Sequence, residues 1–283
     1  MVAIVTGQGL GLGSSSLGLG QHGQIGSARF GQAGAQVFVN AANGNLLLQG
    51  RDQWLAGTGH DAQLLRAYNS QGQVAGQWRP GDARRIGALT GTLNAAGSTV
   101  TRTDWDGSAI VYTYDVGRGR YLAGAGAGTR ATLDWDGTAS QWRWDDGTGA
   151  VREHYAGSGD GRLLERLDRA GNAVRFDYNG SGQLSRVTTA NGEVTHLDYA
   201  SGRLSQLRTV HSDGSSATAV RYSYDGQGRL SAVTLDLSPS DHSIADGKVY
   251  TTWYTYEGSS ERITTLRSSD GGQLACAYIE QGG

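Results

Sequence analysis

Two prolines, one cysteine and three phenylalanines in 283 residues remove several readings at once. With Cys276 alone, no disulfide can form within the chain and no zinc site can be built from cysteines. The thiol is expected to be a small buried hydrophobe. No apolar run approaches the roughly 18 residues that a membrane helix needs. The N-terminus, MVAIVTGQGLGLGSSS, lacks a basic region and its apolar stretch ends at Thr6, so it is not a secretory signal. Export would use another route; the alternative is a cytoplasmic product. A net charge of −2 offers no bulk attraction to nucleic acid or to an anionic membrane. Long helical periodicity is also missing.

Glycine, by contrast, is abundant at 46 residues, roughly twice its usual share. It has no period of three, which excludes collagen. Aromatics are skewed to tyrosine (13) and tryptophan (7), rings that suit half-buried strands. They recur in a pattern: aromatic, any residue, aromatic, an acid or its amide, then glycine. Tyr112-Thr113-Tyr114-Asp115, Trp142-Arg143-Trp144-Asp145, Phe176-Asp177-Tyr178-Asn179, Tyr222-Ser223-Tyr224-Asp225 and Tyr254-Thr255-Tyr256-Glu257 all fit, with a relaxed copy at Leu197-Asp198-Tyr199-Ala200. The tails align too: YNGSGQLSRVT (178–188), YASGRLSQLRT (199–209) and YDGQGRLSAVT (224–234). Similarity at this scale indicates an array built from one supersecondary unit.

The unit reads as a β-hairpin. In AVRYSYD, Val220, Tyr222 and Tyr224 share one face and Arg221, Ser223 and Asp225 the other. Asp-Gly is expected to supply the positive φ of the turn. Leu230 and Val233 are three apart, which strict alternation cannot place on one face, so a bulge or burial on both faces is predicted there. A lone hairpin is unstable, so neighbouring units must stack their Tyr, Trp and Leu rows.

Catalytic patterns are absent. His22, His60, His154, His196, His211 and His242 lack metal-ligand spacing. Asp104/Asp106 and Asp134/Asp136 stand in two Asp-Trp-Asp-Gly strings offset by 30, where turn chemistry explains them better than a carboxylate pair or a calcium site. GLGQHG (18–23) matches a dinucleotide fingerprint without the strand and helix that it requires. No nucleophile elbow or Walker sequence occurs. The chain reads as non-enzymatic and without a cofactor.

Tyr-Asp-x-x-Gly-Arg-Leu-x-x-Val-Thr, as in Tyr224 to Thr234, resembles the YD repeat of Rhs proteins, teneurins and insecticidal toxin complex shells. The segment 40–87 is similar to the opening of the Rhs core in bacterial polymorphic toxins, through Ala42, Asn43, Gly44, Asn45, Arg66, Tyr68, Asn69, Ser70, Trp78 and Arg79. The resemblance implies an all-β fold: hairpin repeats forming a curved or spiralling antiparallel sheet, part of a shell that holds a C-terminal toxin until delivery. The repeat-defining residues would be Tyr112, Tyr114, Asp115, Trp142, Trp144, Asp145, Phe176, Tyr178, Tyr199, Tyr222, Tyr224, Asp225, Gly228, Arg229, Leu230, Tyr254 and Tyr256. Implied partners are the rest of the shell, its toxin cargo and a secretion or delivery component. The Val-Thr-Asp-Pro that often follows each family repeat is missing here, as is the self-cleavage motif. The chain stops in mid-repeat, which suggests a piece of a longer bacterial protein or a truncated relative.

Three regions are expected: a glycine-rich leader over 1–35, weakly ordered or anchored through Leu10, Leu12, Leu17 and Leu19; an opening segment over 36–100; and repeats over 101–283. In a chain this short, the inner aromatic and leucine rows are expected to be partly exposed, and the last strand edge to be open to self-association. A rival reading is an adhesin-type binding module, with Trp142 and Trp144 stacking glycans or holding a protein partner.

Overall fold

The computed structural model describes residues 2–7, 9–12, 24–25, 28–31, 34–71, 78–80, 83–124 and 130–279. Alternating strands and glycine turns give an all-β molecule of two sheets. The first is seven-stranded, in the order Gln24–Ile25, Ala3–Val5, Ala35–Asn40, Leu46–Leu55, Ala62–Asn69 and Trp78–Pro80, with Arg29–Phe30 paired to Ala35–Asn40. Its one parallel pairing joins Ala3–Val5 to Phe38–Asn40. The leader expected over 1–35 therefore does not stand apart, since its described residues supply strands to this sheet. Leu17 and Leu19 lie outside the described residues.

The second sheet runs from Arg85–Thr90 to Gln273–Ala275 in strict chain order, each strand antiparallel to the next. It closes on itself early. Arg85 bridges Arg162, and the Ile86 amide donates to the Gly161 carbonyl at 2.9 Å. Gly161 has a φ of +60°, and any Cβ there would run into the Ile86 backbone, so closure at this point requires glycine. Inside the closed ring pack Val100, Tyr112, Tyr121, Leu133, Trp142, Tyr155 and Leu163. The Tyr121 and Trp142 rings meet edge to face at 5.4 Å, a favoured aromatic geometry.

Beyond the ring, the strands from Ala173–Tyr178 onward curve around the first sheet. Leu184, Val187, Leu207, Val220, Leu230, Ile263 and Leu266 face Val37, Leu46, Leu48, Leu64 and Tyr68 in one core. This corrects the expectation of bare inner rows: Leu184 is 2% exposed, Leu207 1% and Ile263 0%. The opening strands fill the concave face, because their own apolar side has no other surface to cover it.

Of the two alternatives predicted at Leu230 and Val233, the bulge is present. Tyr222 faces Val233 and Ser223 faces Ala232, but Tyr224 faces Leu230. The same shift recurs at Tyr178 opposite Leu184, Tyr199 opposite Leu204 and Tyr256 opposite Ile263. The turn differs from the sequence expectation. In Asp225-Gly226-Gln227-Gly228, the positive φ (+82°) belongs to Gly228 and not to Gly226. The Asp225 carbonyl accepts from the Gly228 amide at 2.9 Å, and its carboxylate accepts from the Gln227 and Arg229 amides, each at 2.9 Å. This is a type I turn followed by a left-handed residue, and the Asp side chain holds the loop in place of a two-residue turn. The shorter copy does use two residues, Ser201 (φ +50°) and Gly202 (φ +76°).

A charge network is buried against the ring core. Arg102 Nη2 donates to Glu153 at 2.7 Å and Nη1 to Asp104 at 3.1 Å; Arg84 Nε donates to Asp104 at 2.7 Å. Tyr155 donates its hydroxyl to Glu153. Burial alone would raise both carboxyl pKa values, but the two guanidiniums outweigh it and hold Glu153 and Asp104 below their ordinary range.

Two expectations follow. Gly228→Ala should cost about 1–2 kcal/mol from its left-handed backbone alone, and more because its Cβ would meet the Arg203 guanidinium. Gly226→Ala has open space and an ordinary φ, so it should be neutral to about 1 kcal/mol stabilising; urea melts of both variants check the pair. For the network, depressed carboxyl pKa values mean that its stabilisation is complete above about pH 5 and is lost below about pH 4, as the unfolded state takes up protons that the folded carboxylates still exclude. Melts from pH 7 to 2 should show this. Glu153→Gln should start about 3–5 kcal/mol less stable, because it strands buried guanidinium charge, and should lose less on acidification.

Candidate functional site: the inter-repeat clasp and its groove

Between one hairpin and the next, the backbone ladder is short. It joins Arg186–Thr188 to Val194–His196 and stops before Leu184. The Leu184 carbonyl is met instead by the Tyr199 hydroxyl at 2.8 Å. Tyr178 donates likewise to Leu163 (2.8 Å), Tyr224 to Leu204 (2.8 Å), Tyr256 to Leu230 (2.7 Å) and Tyr278 to Ile263 (3.1 Å). Each hairpin thus reaches back to its predecessor at the residue that the bulge displaces.

The preceding residue reaches forward. Arg162 lies over the Tyr178 ring at 4.8 Å, Arg203 over Tyr224 at 5.8 Å, Arg229 over Tyr256 at 4.5 Å and Arg262 over Tyr278 at 5.5 Å. Arg203 Nε donates to the Gly228 carbonyl at 3.1 Å, and Arg229 Nη1 to Gly258 at 2.8 Å. Gln183 replaces arginine at one step and still donates to Gly202 at 2.8 Å. Burial raises the Tyr224 pKa despite Arg203, and that of Tyr256 despite Trp78, so both hydroxyls stay protonated as donors.

The inner partners of these tyrosines serve another purpose. Tyr222 donates to Asp52 Oδ2 at 2.7 Å, and Arg66 donates to Asp52 (Nε to Oδ2, 3.0 Å) and to the Tyr254 hydroxyl (Nη1, 2.9 Å). Burial would lower the Arg66 pKa; the Asp52 charge, helped by Tyr254 and Tyr222, raises it. Burial and then Asp52 raise that of Tyr222. This buried pair ties the first sheet to the repeats and forms one wall of a groove of about 650 Å³. Its lining includes Leu64, Leu184, Leu204 and Leu230 together with Arg79, Arg85, Arg203, Arg229 and Glu261. Among the described residues no group of three or more His, Cys, Asp or Glu could hold a metal ion.

The upstream aromatics lie in the ring. Tyr112 accepts from Trp144 Nε1 at 2.8 Å, Tyr114 meets Tyr121 at 5.0 Å, and Arg102 covers the Trp144 ring at 4.3 Å. Trp142, 6% exposed, is packed against Tyr121 and Trp135. Both indoles proposed for ligand stacking are thus engaged by protein. Phe176 faces Val187 where the two cores meet. Asp115 and Asp145 cap their turns through the Arg118 and Gly147 amides. The two Asp-Trp-Asp-Gly strings prove not to be equivalent: the first turn begins at Asp104, whereas the second strand runs on to Asp136.

Sequence reasoning named Arg66 and Arg229 but missed Tyr278, Asp52 as the partner of Arg66, and the stacking of Arg162, Arg203, Arg229 and Arg262 on tyrosines. The arginines had a signal, since Gly-Arg-Leu stands at 161–163, 202–204 and 228–230.

The RHS Repeat family model matches residues 157–194 and again 178–216, a span containing the clasps of Tyr178 and Tyr199. No curated protein matches the chain. Among solved structures, the chain is similar to the Tc holotoxin pore of Photorhabdus luminescens carrying the TccC3-D651A mutation (15% identity, 85% of this chain and 15% of that one, TM-score 0.29). It is also similar to the TcdB2-TccC3 complex (16% identity, 86% and 16%, TM-score 0.19). The chain spans about 15% of the length of these structures, and superpositions at such scores carry no weight for shared shape. The match and the clasp residues within it identify residues 157–216 as Rhs-type repeats.

Proposed function

We propose that this chain is a non-catalytic wall segment of an Rhs-type shell, in which the repeats enclose a toxin within a bacterial polymorphic toxin. The observation that carries the reading is the clasp. It couples each hairpin to the next by a side chain on each partner, so the sheet can lengthen and curve without a central core of its own. The first sheet, lying in the concave face, covers the apolar inner side of the array. The partners are the remaining shell, its cargo and a delivery component, and the product is delivered from the cell. No helix among the described residues is long and apolar enough to cross a membrane.

The reading is tested on the reading frame that encodes the chain. Sequencing beyond Gly283 and imaging the whole product by electron microscopy should show a hollow β-shell with enclosed polypeptide. A frame that stops at Gly283, or a particle without a lumen, would overturn it. The clasp has its own test. Tyr178→Phe, Tyr199→Phe, Tyr224→Phe and Tyr256→Phe should each cost about 1 kcal/mol by leaving a carbonyl unpaired. The fourfold variant should exchange amide hydrogens faster in strands Ala173–Ala275 than in the closed ring.

A further inference from the structure

The opening segment contains a cluster that the shell reading does not use. Asn40, Asn45 and Asn69 are buried at 2%, 2% and 5% exposure, yet their side-chain amides do not pair with one another. They point at the backbone of the N-terminal segment. Asn40 Nδ2 donates to the carbonyls of Gly7 (3.0 Å) and Gly9 (3.1 Å), and Asn43 Nδ2 to Gly9 (3.2 Å). Asn45 and Asn69 both donate to the Leu10 carbonyl at 2.6 Å, and Asp106 Oδ2 accepts from the Leu12 amide at 2.8 Å.

These donors are oriented before the segment arrives. Asn40 Oδ1 accepts from the Ala42 amide, Asn43 Oδ1 from Asn45, and Asn69 Oδ1 from Gln71, at 2.9–3.1 Å. Asn45 Oδ1 accepts from the Ser70 hydroxyl at 3.0 Å. Each amide oxygen is committed locally, which leaves each NH₂ to donate to the segment, and that of Asn69 to the Asp106 carbonyl (3.0 Å) as well. Preorganised donors bind with little further ordering cost. The contacts read carbonyls, which every sequence has; selection comes from shape. A Cβ on Gly11 would overlap Ser108, and Leu12 packs on a small cluster of Ala3, Val5, Ala28, Phe38 and Leu47. The cage also draws on both sheets: Asn40–Asn45 and Asn69 belong to the first, and Asp106 and Ser108 to the turn between Thr99–Thr103 and Ala109–Asp115 of the second.

We propose that this asparagine cage is a peptide-binding site for a bent glycine-leucine segment. Gly7 and residues 9–12 are its tethered ligand, separable from the body of the protein. The occupied cage adds a tie between the two sheets beside the Asn69–Asp106 and Asp52–Tyr222 hydrogen bonds.

The experiment uses the full chain, with Ser14, Ser15 and Ser16 replaced by a specific protease site and cut after folding. A fluorescent peptide of residues 2–12 is then added in excess. Exchange into the nicked protein, seen as co-elution and a rise in anisotropy, is expected. A peptide carrying Gly11→Ala should bind at least tenfold more weakly, although its strand residues Ala3–Val5 are unchanged. Asn45→Ala with Asn69→Ala in the protein should weaken the wild-type peptide by at least the same factor. Loss of the N-terminal fragment with an unchanged melting temperature would overturn the proposal, as would equal binding of the Gly11→Ala peptide. That peptide arm leaves the protein untouched and stands even if the asparagine variant fails to fold.

Discussion

A tyrosine hydroxyl bonded to a leucine carbonyl of the preceding hairpin is the contact on which the repeat array depends. The ladder between hairpins ends before the bulge, as at Arg186, so without that bond Leu184 would present an unpaired carbonyl at a buried position. The tyrosine can reach it because the bulge brings Leu184 opposite Tyr178 while Val187 stays opposite Phe176. Bulge, carbonyl and hydroxyl are therefore one device. The bulge strengthens local twist, and the hydroxyl fixes how far the next hairpin rotates, so a short polar contact sets the curvature of a long sheet.

Curvature creates a concave face, and the rest of the structure is organised around covering it. In the ring, closure at Gly161 lets the strands cover one another, and aromatic rings fill the centre. Past the ring, the first sheet does the covering. Each half then holds one buried ionic cluster, Arg102 with Glu153 and Asp104 in the first, Arg66 with Asp52 in the second. Such clusters contribute little net stability over apolar packing, but they are costly to break. Their use here is positional. Asp52 accepts from both Arg66 and Tyr222, so the first sheet can dock in one register only.

The hairpin, its alternation and the bulge were legible in the sequence because they depend on neighbours a few residues apart. Leu230 and Val233 cannot both face inward on a regular pleat, and the structure resolves this with the extra residue. The turn was read less well: Asp225-Gly226 suggests a two-residue turn, but the Asp side chain captures two amides and moves the left-handed residue to Gly228. Partners of Tyr199 and Tyr224 were not legible. Their acceptors are backbone atoms 15 and 20 residues earlier, and a carbonyl has no sequence signature.

By itself the sequence determined a β-hairpin array with tyrosine, glycine and leucine at fixed places, since strand period and turn chemistry are local properties. Only the tertiary structure decided that eight strands close into a ring, that the opening strands fill the next concavity, and that the glycine-rich N-terminus is held by asparagines. Those outcomes depend on which distant surfaces meet. Asp52 and Tyr222 stand 170 residues apart, and Leu12 and Asp106 stand 94 apart. The free energy of such contacts comes from burying both partners together, which neither segment specifies alone.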